Sequence, residues 1–251
     1  MNSSFTDKVK HLASELPLEL ADSQAEQLKL YYEMLIEKNK VMNLTAITDE
    51  DEVITKHFID SLSIVRILGP DFFSSHANGD NPSPRVIDIG TGAGFPGLVL
   101  KIVFPKIHMT LFDSLKKRLA FLEEVIDTLH LDNVETVHGR AEDYGKNKTY
   151  RDQYDLAVSR AVANLSTLSE YCLPFVKKGG YFCAYKTAEF IEELKAADGA
   201  IRKLGAAVDN TVSFALPGSD IGRSLILIKK TANTPSAYPR KAGIPSKEPL
   251  Q

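Results

Sequence analysis

Hydrophobic positions along the chain follow two periods that change over near residue 70. Up to Gly69 they recur three and four apart, and from Arg85 onward short apolar runs of strand length alternate with helical stretches. In the first part Leu28, Tyr31, Leu35 and Met42 share one helical face behind a Ser23 to Glu26 capping box, which predicts a helix ending near Asn43. A second helix start falls at Thr48, with Asp49, Glu50 and Asp51 in the turn where a helix dipole favours acids. Its stripe Val53, Ile54, Phe58, Leu62, Val65 runs to a stop at Gly69-Pro70. Three helices over residues 1–69 are therefore expected as an N-terminal extension. The composition turns to Ser, Asn, Gly, Asp and Pro between Ser74 and Pro84, so residues 70–84 read as a surface linker.

In the second part, strands are expected at Arg85 to Ile89, His108 to Asp113, Val134 to His138, Tyr154 to Ser159, Tyr181 to Lys186, Ala207 to Ala215 and Ser224 to Lys230. Runs such as Leu156-Ala157-Val158 suit strands covered on both faces, as in a parallel sheet between helix layers. Helix-length segments separate the first five strands. The last two are joined by Leu216 to Arg223, too short for a helical crossover, so they should be antiparallel neighbours. The expected fold is α/β: a doubly wound, Rossmann-like, seven-stranded sheet over residues 85–230 with an antiparallel last strand, followed by a tail at 231–251.

Composition narrows the classes. The 251 residues are 43% hydrophobic and 25% charged, the balance of a folded globular chain. With 30 basic against 33 acidic residues, overall charge alone would not hold nucleic acid, although a local basic face could. No apolar run reaches the length of a membrane span and residues 1–17 lack a secretory signal, so a cytoplasmic protein without a membrane partner is expected. Cys172, Cys183 and six scattered histidines show no ligand spacing, and no metal is expected.

The chemistry concentrates at Val86-Ile87-Asp88-Ile89-Gly90-Thr91-Gly92-Ala93-Gly94-Phe95-Pro96-Gly97, a strand entering a glycine-rich turn and then a helix. Such a loop lets backbone approach a cofactor closely, but its G-x-G-x-x-G pattern alone does not separate a nicotinamide nucleotide from S-adenosylmethionine. Two features favour the methyl donor. Asp88, expected to turn its carboxylate toward the ligand, would repel a pyrophosphate and attract an ammonium or sulfonium. The closing antiparallel pair resembles the last strands of class I methyltransferases and differs from the parallel dinucleotide fold. Asp113, ending the second strand, is placed to bind ribose hydroxyls, and Arg140-Ala141-Glu142-Asp143 to border the adenine. Arg160, ending the fourth strand, is the residue expected at the reacting centre.

Beyond these features the chain resembles the bacterial small-subunit ribosomal RNA methyltransferase G family, also called glucose-inhibited division protein B. The resemblance is carried by Asn39-Lys40-Val41-Met42-Asn43-Leu44-Thr45, His57-Phe58-Ile59-Asp60-Ser61, Asp88 to Gly97, Asp113-Ser114, Lys116-Lys117-Arg118, Gly139 to Glu142, Ser159-Arg160-Ala161 and the tail Tyr238 to Leu250. It implies transfer of a methyl group from S-adenosyl-L-methionine to ring nitrogen 7 of one guanine in 16S RNA of the small ribosomal subunit. It also implies donor contacts at Gly90, Phe95, Ala141, Glu142 and Arg160, which join Asp88, Gly92, Gly94 and Asp113 in the expected donor set. Because that nitrogen already carries a lone pair, no general base is needed and Arg160 is expected to act by positioning. Lys116, Lys117, Arg118, Arg240, Lys241 and Lys247 form the expected RNA footprint, on a monomer. A small-molecule methyltransferase, a nicotinamide oxidoreductase, or a noncatalytic RNA-binding or assembly factor on the same fold are the competing readings.

Overall fold

A computed structural model describes residues 4–74, 83–160 and 163–251. Most of the expected linker and Ala161 of the Ser-Arg-Ala motif thus lie outside the described residues.

The described strands form one seven-stranded sheet in the order β3-β2-β1-β4-β5-β7-β6: β1 Arg85–Ile89, β2 His108–Asp113, β3 Val134–His138, β4 Tyr154–Arg160, β5 Val176–Thr187, β6 Ala206–Ala215 and β7 Gly222–Lys230. β1 pairs in parallel with β2 and β4, β2 with β3, and β4 with β5. β7 runs antiparallel between β5 and β6, the arrangement expected from the short connection between the last two strands. The order reverses between β1 and β4, and ligands of open α/β sheets collect at the carboxyl ends beside such a switch.

Strand pleating sorts the core into two layers. Val86, Leu111, Leu156, Val158, Cys183 and Leu225 face one layer, whereas Ile87, Ile89, Phe112, Ala157, Phe182 and Ile226 face the other. The N-terminal helices belong to the first layer: Phe5, Leu28, Tyr31, Leu35, Phe58 and Leu62 are buried in one cluster with those strand residues and with α6 (Gly97–Val103). α1 (Phe5–Ser14) starts at Ser4, whose Oγ accepts from the Asp7 N–H while the Asp7 carboxylate accepts from the Ser4 N–H. α2 (Asp22–Met42) stops where Asn43 takes a left-handed conformation, as the sequence predicts. Its start is two residues earlier than the expected box: the Gln24 side chain, not Glu26, accepts from the N–H of Ala21. After α3 (Glu50–Val53), capped by Asp49, the chain winds as a π-helical segment over Ile54–Ile59 before α4 (Asp60–Leu62) and α5 (Val65–Leu68). That wider turn carries His57 and leads directly to Asp60.

The second layer is built from α8 (Ala141–Tyr144), α9 (Leu165–Cys172), α10 (Ile191–Lys203) and the tail with α11 (Ile244–Lys247). The tail is tied down rather than trailing. Arg151 donates to the carbonyls of Thr234 and Tyr238, Thr167 Oγ1 donates to the carbonyl of Pro245, and Tyr238 and Leu250 pack against the core. Both cysteines are fully buried, in α9 and β5, and burial pushes their thiols up, as befits packing residues.

Candidate active site

At the carboxyl ends of β1, β2 and β3 lies a cavity of about 830 Å³, lined among others by Gly90, Asp113, Arg118, Ala141, Glu142 and Arg160. Its rim comes from the glycine loop after β1 on one side and from α8 and Gly243 on the other.

Asp113 closes the loop. Its Oδ2 accepts from the Gly92 N–H at 2.9 Å, its Oδ1 accepts from the Leu115 N–H at 2.8 Å, and Arg118 approaches Oδ2 at 3.5 Å. Two carboxylate oxygens offer about four lone-pair sites, so acceptor capacity remains for a hydroxyl pair. Gly90, Gly92 and Gly94 all have positive φ, and at Gly94 an added Cβ would collide with Tyr31 and Leu98. Gly90 lines the cavity; Gly94 instead lets the Tyr31 hydroxyl donate to the Ala93 carbonyl, pinning the loop to α2. Ala141 and Glu142 sit on the far wall, where Glu142 Oε1 accepts from the N–H of Gly243 at 2.8 Å and brings the tail to the cavity.

Asp88 departs from the sequence expectation. It shares pleat parity with Val86, so its side chain points to the α6 layer, while Ile89 faces the cavity. Asp88 is fully buried; Oδ2 accepts from Thr91 Oγ1 at 2.7 Å and from the Gly97 N–H at 2.8 Å. It therefore braces the two ends of the loop. Its Oδ1 is buried and has no partner among the described residues, and burial raises the carboxyl pKa to about 6. A buried carboxylate behind the loop attracts an ammonium or sulfonium in the cavity and repels a pyrophosphate, so these residues fit S-adenosylmethionine better than a pyrophosphate.

Arg160 ends β4 between this cavity and a second one of about 540 Å³. Nη1 donates to Asp60 Oδ2 and to the Lys56 carbonyl, each at 3.0 Å, and Nη2 donates to His57 Nδ1 at 3.2 Å. Because Nδ1 accepts, the ring proton is on Nε2, which donates to Thr45 Oγ1 at 2.9 Å. His57 stacks on Phe95 with 4.4 Å between ring centroids, and the Arg160 guanidinium lies 5.2 Å from the same Phe95 ring. Burial, then the charge of Arg160, depresses the His57 pKa to about 3 and keeps the imidazole neutral. Phe95, expected to touch the donor, is buried and supports His57 and Arg160.

The expected RNA footprint is only partly presented. Lys116, Lys117, Lys241 and Lys247 are exposed, the first two in the opening turn of α7 (Lys116–Thr128). Arg118 is engaged by Asp113, and Arg240 is held by Glu170, whose side chain is fully buried. Lys230, the last residue of β7, is fully buried against Asp152 and the carbonyls of Leu173 and Val176. The second cavity also brings together Asp60, met in the sequence only within the His57 to Ser61 motif, and four residues that the sequence did not point to, Tyr185, Lys186, Glu193 and Arg223.

The reversed sheet order with its antiparallel β7, the glycine loop closed by Asp113 and the cavity at the switch point define a class I S-adenosylmethionine-dependent methyltransferase fold. A solved structure of a predicted O-methyltransferase from Agrobacterium tumefaciens is similar, with a TM-score of 0.50 at 16% identity over 71% of this chain and 81% of that one. The family model described as rRNA small subunit methyltransferase G matches residues 24–221, and the chain belongs to that family. Relatives called ribosomal RNA small subunit methyltransferase G are 51% identical in Alkaliphilus oremlandii (98% of each chain covered) and 49% identical in Alkaliphilus metalliredigens (97% of this chain and 98% of that one).

Proposed function

We infer that the protein transfers a methyl group from S-adenosyl-L-methionine to N7 of a guanine in 16S ribosomal RNA, acting as a cytoplasmic monomer on the small subunit. Membership of the methyltransferase G family carries the reading, and the donor cavity with Arg160 at its edge supports it. No helix among the described residues is long and apolar enough to cross a membrane.

When bound, the donor supplies an electrophilic methyl on a sulfonium centre. The Asp88 carboxylate, buried behind the loop, would favour its positive charge without touching it, Asp113 would accept from its ribose hydroxyls, and Ala141 and Glu142 would border its adenine. Gly90, Gly92 and Gly94 shape the loop that admits it. Guanine N7 carries an available lone pair, so the chain has no proton to remove before attack. Its task is alignment, and the fixed Arg160 guanidinium, held by Asp60, Lys56 and His57, is suited to it. Lys116, Lys117, Lys241 and Lys247 supply charge for the RNA backbone, so RNA affinity should fall with added salt while donor affinity stays level.

The test is methyl transfer from labelled donor to small subunits of cells lacking the enzyme, followed by nucleoside analysis. Label in 7-methylguanosine of 16S RNA is expected; label in any other nucleoside, or none, defeats the reading.

Two substitutions test the donor residues. Gly92→Val places a β-branched side chain at φ +61°, so calorimetry should record about tenfold or more loss of donor affinity. Asp88→Asn keeps the shape but removes the charge. Because the folded carboxyl pKa of about 6 is above the ordinary aspartate value of 3.8, Asp88 favours folding while protonated, and that contribution is lost as pH rises through 6. Thermal unfolding at pH 7.5 should therefore show Asp88→Asn at least as stable as the parent, with donor affinity about tenfold weaker. Equal donor affinity would remove Asp88 from the site.

A further inference from the structure

The cavity of about 540 Å³ at the carboxyl ends of β4 and β5 is not used by the donor, yet it shares Arg160 with the donor cavity. Its volume is in the ~300–1,000 Å³ range of small-ligand sites. Lys56, Arg160, Lys186 and Arg223 line it against two acids, Asp60 and Glu193, an excess of positive charge that suits an anionic nucleotide. Asp60 is almost fully buried and divides its oxygens between two guanidiniums, Oδ2 to Arg160 and Oδ1 to Arg223 Nε at 3.2 Å. Both arginines are thereby fixed at the wall.

On the opposite side, Lys186 Nζ donates to Glu193 Oε1 at 2.7 Å and to the Ala163 carbonyl at 2.9 Å, and the Leu165 N–H donates to the same Oε1 at 2.5 Å. An ammonium and a carboxylate are thus held side by side, both lining the cavity. Their order matches one RNA base. Guanine presents the O6 acceptor next to two donors, N1–H and the N2 amino group, on a single edge. Adenine reverses the first pair, and uracil places a second acceptor where guanine has its amino donor, which would meet the carboxylate lone pairs. A base bound by this edge leaves N7 free.

We propose that this cavity seats the target guanine, with Lys186 donating to O6, Glu193 accepting from N1–H and the N2 amino group, and Arg223 meeting the attached phosphate. The assignment rests on the guanine-N7 reading above. In the step it serves, the N7 lone pair forms the new bond to the methyl carbon as the carbon–sulfur bond breaks and its electrons return to sulfur. Sulfur becomes neutral and the base becomes cationic. Glu193 is then a carboxylate beside a base that has gained positive charge, and it favours the reacted state over the starting one.

The experiment compares small subunits carrying guanine or inosine at the position the parent enzyme methylates, with the parent, Glu193→Gln and Lys186→Met. Inosine lacks only the N2 amino group. The parent should show kcat/KM about tenfold lower on inosine, and Glu193→Gln should be about tenfold lower on guanine while treating the two substrates alike. Donor Kd by calorimetry should remain within twofold for both variants. Lys186→Met should lose activity on both substrates and keep the parental ratio between them. If Glu193→Gln discriminates between the bases as the parent does, or if donor affinity falls in step with activity, the cavity does not read the base. A parent that forms no 7-methylguanosine overturns the functional reading itself and this assignment with it.

Discussion

Arg240→Ala is expected to lower the unfolding free energy by ~3–5 kcal/mol, the cost of stranding a buried charge after its partner is removed. The carboxylate left behind is Glu170, fully buried in α9 among the second-layer core. Arg240 satisfies it from three nitrogens: the backbone N–H at 2.7 Å, Nε at 3.0 and 3.1 Å to the two oxygens, and Nη2 at 2.7 Å. Nη2 also donates to the Glu248 carbonyl, so the same side chain folds the tail back over α9. For a chain of this size ~1 kcal/mol corresponds to roughly 2–4 °C, so the melting temperature should fall by about 10 °C. Arg240→Ala with Glu170→Gln should recover part of the loss, because no charge is then stranded. Lys241→Ala with Lys247→Ala, both exposed, should leave melting unchanged and reduce the salt slope of RNA binding by about one to two units. An Arg240→Ala protein that melts like the parent but binds RNA with a shallower slope would return this residue to the RNA surface.

The tail shows what a linear reading can recover. Its positive charge was legible, but the acid that consumes part of it was not: Glu170 stands 70 positions before Arg240. The sheet was more readable because period-two burial writes each strand locally. β1, β2 and β3 match the predicted limits, whereas β5 begins earlier, at Val176, through a Lys-Lys-Gly-Gly stretch without apolar alternation. For Asp88 the same alternation held the answer. Val86 and Asp88 must face one way and Ile87 and Ile89 the other, which makes the acid a brace of the loop rather than part of the cavity lining. The second cavity was beyond a linear reading, since Asp60, Lys186, Glu193 and Arg223 come from four separate elements and meet only through the sheet order.

Arg160→Ala should reduce methyl transfer by ~100-fold or more while the folded enzyme persists. The side chain stands between the two cavities, is only slightly exposed, and has its planar fork occupied on one side by Asp60, the Lys56 carbonyl and His57. Removing it releases the guide between donor and base and also alters its supports. Asp60 keeps Arg223, so the stability loss should be smaller than for Arg240→Ala, which leaves Glu170 without any guanidinium. His57 provides a specific signature. In the parent its folded pKa of about 3 lies below the ordinary histidine value of 6.5, so it contributes stability that is present above 6.5 and lost as pH falls toward 3. Burial is the first cause of that depression and the Arg160 charge the second, so without the guanidinium the imidazole should titrate at higher pH, between those limits. NMR of the ring protons measures this directly. Arg160→Lys should rescue little activity, because an ammonium cannot reproduce the planar fork that reaches Asp60 and His57 together. Full activity in Arg160→Ala would take this residue out of the reacting centre. Lost activity with an unmoved His57 titration would instead break the link from Arg160 through His57 to the N-terminal helices.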